Sequence, residues 1–102
     1  MFKDRLIKNL ISLEKTIPVI DKIASSYDDK ETLALALFLF FKQEKILDRL
    51  AHIRSDLYSE LKNRSYEEYE EFLDFLETDY VPWKIPYNAT KEELLEKIKN
   101  SK

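Results

Sequence analysis

The chain has one histidine among its 102 residues, His52, and it stands in a row with two aspartates. Asp48 precedes it by four residues and Asp56 follows by four, so on a helix all three share one face. A D-x-x-x-H-x-x-x-D row could bind a metal or shuttle a proton. It also suits a surface ladder of ion pairs, and the ladder is the preferred reading. A metal site built from two or three histidines cannot form within one chain. Arg49 and His52 are too close together for the arginine–histidine spacing of ribonucleases of the higher-eukaryote-and-prokaryote nucleotide-binding type. With no cysteine, the chain lacks disulfides, thiolate zinc sites, iron–sulfur clusters and cysteine nucleophiles. With no glycine, it lacks the P-loop and the dinucleotide-binding turn, in which backbone must closely approach phosphate. The expectation is a protein with no catalytic residues, no metal and no cofactor, and not an enzyme.

The elements that carry these residues read as helices. A chain of this length is one domain, expected to span residues 1–102. Leu6, Leu10, Leu13, Ile17, Ile20, Ala24 and Tyr27 form a heptad-like stripe. Pro18 interrupts it by removing a backbone donor. The spacing predicts one kinked helix from about Phe2 to Ser26, or two helices broken near Thr16. Asp28 with Glu31 has capping-box spacing and predicts a second helix from about Asp29 to Asn63, roughly 35 residues or ~50 Å long. Ser65 with Glu68 opens a third helix to about Thr78, with an aromatic stripe of Tyr66, Tyr69, Phe72, Leu73, Leu76 and Tyr80. Pro82 and Pro86 keep the segment YVPWKIPY out of a helix. Thr90 with Glu93 opens a short fourth helix to about Ile98. The fold class is all-α: a small bundle of three main helices, the second long and central, plus a short C-terminal helix after an extended proline-containing segment. Such a helix is longer than a domain this small usually covers, which favours a partner or a dimer.

Three surfaces could then carry function. The run LALALFLFF within Leu33–Phe41 is apolar on every side. Either its neighbours wrap it fully, or Leu35, Phe38, Leu39 and Phe41 remain as a partner-binding patch. Residues 65–83 hold seven acidic and no basic side chains, whereas the flanking stretches are each net +2. This acidic helix is a solvated face, paired or not with neighbouring lysines, or a docking face presenting Glu67, Glu70, Glu71 and Asp74 to a basic surface. Trp83 and Tyr87 are core residues that strap the proline segment to the bundle, or exposed aromatic anchors. On the second helix, Lys42, Lys45, Arg49, Arg54, Lys62 and Arg64 alternate with Glu44, Asp48, Asp56 and Glu60. No continuous basic stripe results, and tight DNA binding by this chain alone is disfavoured.

The apolar run is too short to span a bilayer, and the opening MFKDRLIKNL lacks the uninterrupted apolar region of a signal peptide. A soluble, cytoplasmic protein is expected. Lysine and glutamate together supply 25 residues against a single glutamine. That bias occurs in hyperthermophile proteins, and AT-rich mesophile genomes also produce it. The bias, the missing glycine and cysteine, and the stretch TDYVPWKIPYNATKEELLEKI resemble small crenarchaeal proteins. In size and character the chain is similar to the small helical accessory subunit of the crenarchaeal replicative family-B DNA polymerase. The resemblance is one of overall style and carries no functional residue across. It implies a scaffold on an archaeal polymerase in DNA replication.

The function expected is therefore that of a non-catalytic accessory subunit docking on a larger protein. Nucleic acid would be reached only indirectly, and a homodimer is a second way to cover the apolar run. One alternative is a viral, plasmid or toxin–antitoxin regulatory protein whose acidic helix mimics nucleic acid. Another is a stand-alone helical DNA-binding protein.

Overall fold

The computed structural model describes residues 4–101 and is all-helical over them. Six helices follow one another among the described residues: α1 (Arg5–Glu14), α2 (Ile17–Ala24), α3 (Lys30–Gln43), α4 (Ile46–Arg64), α5 (Tyr66–Thr78) and α6 (Lys91–Lys99). The first predicted helix is thus two, parted at Lys15 and Thr16, with Pro18 in the opening turn of α2, where a missing N–H costs nothing.

The single long second helix is corrected to two, α3 of 14 residues and α4 of 19. The break is at Lys45, whose φ of 49° and ψ of 51° are left-handed. Lacking glycine, the chain turns this corner on a lysine. Its conformation costs about 1–2 kcal/mol relative to a helical one. Burial of Ile46, one residue further on and fully enclosed, offsets that cost.

The helix starts are set by side-chain caps. Thr90 and Glu93 form a reciprocal capping box at α6. Ser65 both closes α4 and opens α5: its N–H donates to the Leu61 carbonyl at 2.9 Å, and its Oγ accepts from the Glu68 N–H at 3.2 Å. The serine N–H is already engaged, so this cap works in one direction only. The expected cap Asp28 is replaced by Asp29, whose carboxylate accepts from the Thr32 N–H at 2.8 Å and from its hydroxyl at 2.6 Å. Glu31, the expected partner of Asp28, is instead ion-paired with Lys91 of α6.

Packing centres on α4. α1 runs antiparallel to it, with Arg5 beside Asp56 at one end and Thr16 beside Arg49 at the other. α5 folds back along another side, placing Tyr58 against Tyr69 and Phe72 at ring-centroid distances of 6.2 and 5.8 Å. α2 and α6 both pack on α3. The enclosed residues lie at or near the two helix breaks or along the α1–α4 contact: Ile46 and Thr16, with Asn9 and Ile53. The molecule is a slab, 46 × 41 × 21 Å, with a radius of gyration of 17.6 Å. A compact domain of this length has one of about 13 Å. No helix among the described residues is long and apolar enough to cross a membrane.

Candidate functional site

The Asp48–His52–Asp56 row is only partly assembled. His52 Nε2 lies 3.8 Å from Asp56 Oδ2, while Arg5 Nε approaches Oδ1 of the same carboxylate at 3.7 Å. Asp56 thus lies between Arg5 and His52, and His52 is highly exposed. Among the described residues no three histidine, aspartate or glutamate side chains are grouped to hold a metal ion. Asp48 has no basic nitrogen within 4.0 Å among the described residues, so the pairing is confined to Asp56.

The apolar residues of α3 divide by helical phase. Leu33, Ala36, Leu37 and Phe40 face the neighbouring helices and are half-buried. Leu35, Phe38 and Leu39 point the other way and are 65%, 63% and 54% exposed, with Phe41 on the flank at 40%. The i, i+3, i+4 spacing gathers the first three into one ridge. Lys42 extends it, its Nζ lying 5.6 Å from the Phe38 ring centroid.

A second apolar surface lies along α4, on the stripe Leu50, Ile53, Leu57 and Leu61 whose spacing marks an amphipathic helix face but not by itself a functional one. These residues, with Arg54 between them, form the floor of an open trough of about 440 Å³, with Tyr58 and Phe72 on the α5 side. Phe75 continues that wall, stacked on Phe72 at 6.3 Å. The opposite wall follows from helix geometry. Arg5 and Thr16 of α1 meet α4, and a step of one residue turns about 100° around a helix. In two antiparallel right-handed helices the one-step flanks share a side. Leu6, Leu10 and Ile17 therefore line the same side as Leu50 and Leu57, and all five are exposed. No Cα of α1 lies within 8 Å of one in α5, so the trough is open between them. The signal was present in the heptad-like stripe itself, because a stripe of that kind serves pairing with another chain as well as with the chain's own core.

On α5 the packing residues Tyr69, Phe72 and Leu76 occupy one side. Glu67, Glu70 and Asp74 fall on the opposite side and Glu71 at its edge, next to Phe75, all exposed. None has a basic nitrogen within 4.0 Å among the described residues. Lys62 rests on this helix, over the Tyr69 ring at 5.7 Å.

The proline segment leaves its aromatics in solvent. Trp83 is 78% and Tyr87 83% exposed, so neither straps the segment to a core. A short turn fixes the end of the segment through Tyr87 N–H to the Ile85 carbonyl at 2.9 Å and Ala89 N–H to that of Pro86 at 3.2 Å.

Arg49 supports these surfaces from within. Its Nη1 donates to Thr16 Oγ1 at 2.9 Å and its Nη2 to Glu44 Oε1 at 3.3 Å. One guanidinium therefore ties the α1–α2 break to the α3–α4 break, and Thr16 passes the link on by donating to the Ser12 carbonyl at 2.8 Å. At the other end of α3, the Thr32 hydroxyl and amide hold the Asp29 carboxyl below its ordinary range. The hydrogen bond to Glu31, with the charge behind it, raises the Lys91 ammonium.

No protein-family model matches the chain, and neither does any curated protein or solved structure.

Proposed function

We propose that this chain is a non-catalytic accessory subunit that docks on a larger enzyme. The observation that carries the reading is the amount of surface left uncovered. The chain exposes 9141 Å², whereas a compact monomer of its mass exposes about 6,100 Å². Exposed apolar side chains on the α3 ridge, along the α4 trough and in the Trp83 segment contribute to the excess. Contiguous apolar surface of this kind marks interaction sites.

The acidic stripe Glu67, Glu70, Glu71 and Asp74 supplies the polar part of the docking face and suits a basic surface on the enzyme. Trp83 and Tyr87 follow it in sequence as aromatic anchors. The narrower reading, that the enzyme is a DNA polymerase acting in replication, rests on the resemblance of the sequence to the small polymerase subunit.

Affinity capture from native extract tests the reading, with the tagged full chain compared to a variant carrying Glu67→Lys, Glu70→Lys, Glu71→Lys and Asp74→Lys. The expected result is a large enzyme recovered in stoichiometric amount with the first and lost with the second. Recovery of the tagged chain without any enzyme would overturn it.

A second reading is favoured by the same unpaired carboxylates, namely that α5 mimics nucleic acid on a basic site. It predicts that the chain and duplex DNA compete for the captured enzyme, whereas simultaneous binding of both removes it.

A further inference from the structure

We infer that two copies of this chain associate reciprocally, the α3 ridge of each entering the α1–α4–α5 trough of the other. The chain carries both halves of the contact. The trough has a mainly apolar floor, with Arg54 among its lining residues, an aromatic wall on the α5 side and the exposed Leu6, Leu10 and Ile17 on the α1 side, and α1 and α5 do not meet across it. α3 has an apolar ridge, Leu35, Phe38 and Leu39, that lacks a groove. Neither half reaches the other within one molecule, because the turn at Lys45 sends α3 away from the trough that begins at Leu50 on the next helix.

Length and charge both fit. The floor from Leu50 to Leu61 covers three turns of helix, and the ridge with Lys42 covers two, so the ridge lies within the trough. The rim on the α5 side carries Glu68 and Glu71, one helical step from Phe72 and Phe75, and neither has a cation within 4.0 Å among the described residues. The ridge ends in Lys42, which rests on Phe38 and has no carboxylate partner among those residues. Glu68 and Glu71 on the α5 rim are thus available to Lys42 at the end of the ridge, while the floor itself carries Arg54 among its leucines.

Area points the same way. The chain's excess exposure over a compact monomer is about 3,000 Å². Obligate dimers bury about 2,000–5,000 Å² over both partners, so the pairing can be accommodated within the excess. The arrangement is also closed: each ridge fills one trough, a two-fold operation relates the copies, and no free half remains to propagate a filament. The outward stripe Glu67, Glu70 and Asp74, on the far side of α5 from Phe72, stays uncovered.

The experiment uses the pure full-length chain in sedimentation velocity from low to high micromolar concentration. The expected species has twice the 12.3 kDa chain mass. Phe38→Lys and Leu57→Glu, both at exposed positions, are each expected to weaken association by about thirtyfold or more, the size of a hot-spot loss. Mixing the two variants should restore the two-chain species. In the mixed pair one contact is wild-type on both sides, and the other opposes lysine to glutamate.

Far-UV circular dichroism reports whether each variant keeps its helices. Leu39→Ser and Leu50→Ser, milder changes on the same two surfaces, replace any variant that does not. A wild-type chain that stays monomeric overturns the inference. So does a dimer indifferent to both substitutions, or a mixture of variants that fails to reassociate. These outcomes are read without any enzyme, so they are separable from failure of the accessory role.

Discussion

Arg49 shows how much one side chain can hold in a small open protein. Its guanidinium is mostly enclosed and donates to Thr16 and Glu44, one at each helix break. Replacing it with methionine keeps the volume and removes both bonds. Thr16 retains its own donation to the Ser12 carbonyl and is not left wholly unpaired. Arg49→Met is therefore expected to lower stability by about 1–2 kcal/mol, measured as a shift of the urea midpoint with an unchanged slope.

Asp29 is the residue at which pH matters. Its carboxyl is lowered in the folded chain by the Thr32 hydroxyl and amide. A lowered carboxyl stabilises the folded state above its unfolded value, and that stabilisation is lost as pH falls through the folded value. Asp29→Ala should then melt below the wild type at neutral pH, and the two melting curves should converge well below the carboxylate range. Lys91 has the opposite sign. Its raised ammonium stabilises the fold below the ordinary lysine range wherever Glu31 is ionised, and ceases to do so as pH climbs through the raised value.

At the scale of the element, the corner between α3 and α4 decides how the two apolar surfaces are separated. It is made by a lysine in the left-handed region, a conformation that glycine reaches without steric cost. Lys45→Gly is expected to be neutral or to raise stability by up to about 1 kcal/mol, and Lys45→Val, branched at Cβ, to lower it by about as much or more. Denaturant titration of both variants checks the pair. Equal destabilisation by both would mean that the lysine side chain, and not its backbone, makes the corner. The remaining joints are cheaper. Ser65 joins two helices through its own N–H and Oγ, and Pro18 begins α2 where its missing donor is harmless.

Over the whole molecule, the dominant fact is thinness. A slab 21 Å deep is about two helices thick, so apolar residues on its faces have no further layer to cover them. Stability should then depend on what covers those faces. If the covering is a second copy, the thermal midpoint rises with protein concentration, since association draws the folded state by mass action. A midpoint constant over a hundredfold range of concentration would count against self-association.

Much of the architecture was legible locally. The starts of α5 and α6 follow from Ser65 and Thr90, because a cap is a contact between a side chain and backbone three residues away. The non-helical run through Pro82 and Pro86 follows from the geometry of the proline ring, whereas Pro18 left a kink and a break near Thr16 both open. The exposure of particular residues was not legible. The stripe Leu6, Leu10 and Ile17 has the spacing of a core face, yet it lies open because Arg5 and Thr16, on the adjacent face, are held by Asp56 and Arg49.

By itself, then, the sequence determined an all-helical chain, where α5 and α6 begin, which chemistries are excluded, and the concentration of negative charge on α5. Each of these depends on residue type or on partners a few positions apart. Only the tertiary structure decided that the long helix breaks at Lys45, that Asp29 and not Asp28 caps α3, and that the α4 floor stays open. Those outcomes turn on Ile46 being enclosed, on Glu31 being taken by Lys91 sixty residues away, and on α1 and α5 lying too far apart to meet. Burial and long-range pairing are sums over the whole chain, and no window of neighbouring residues contains them.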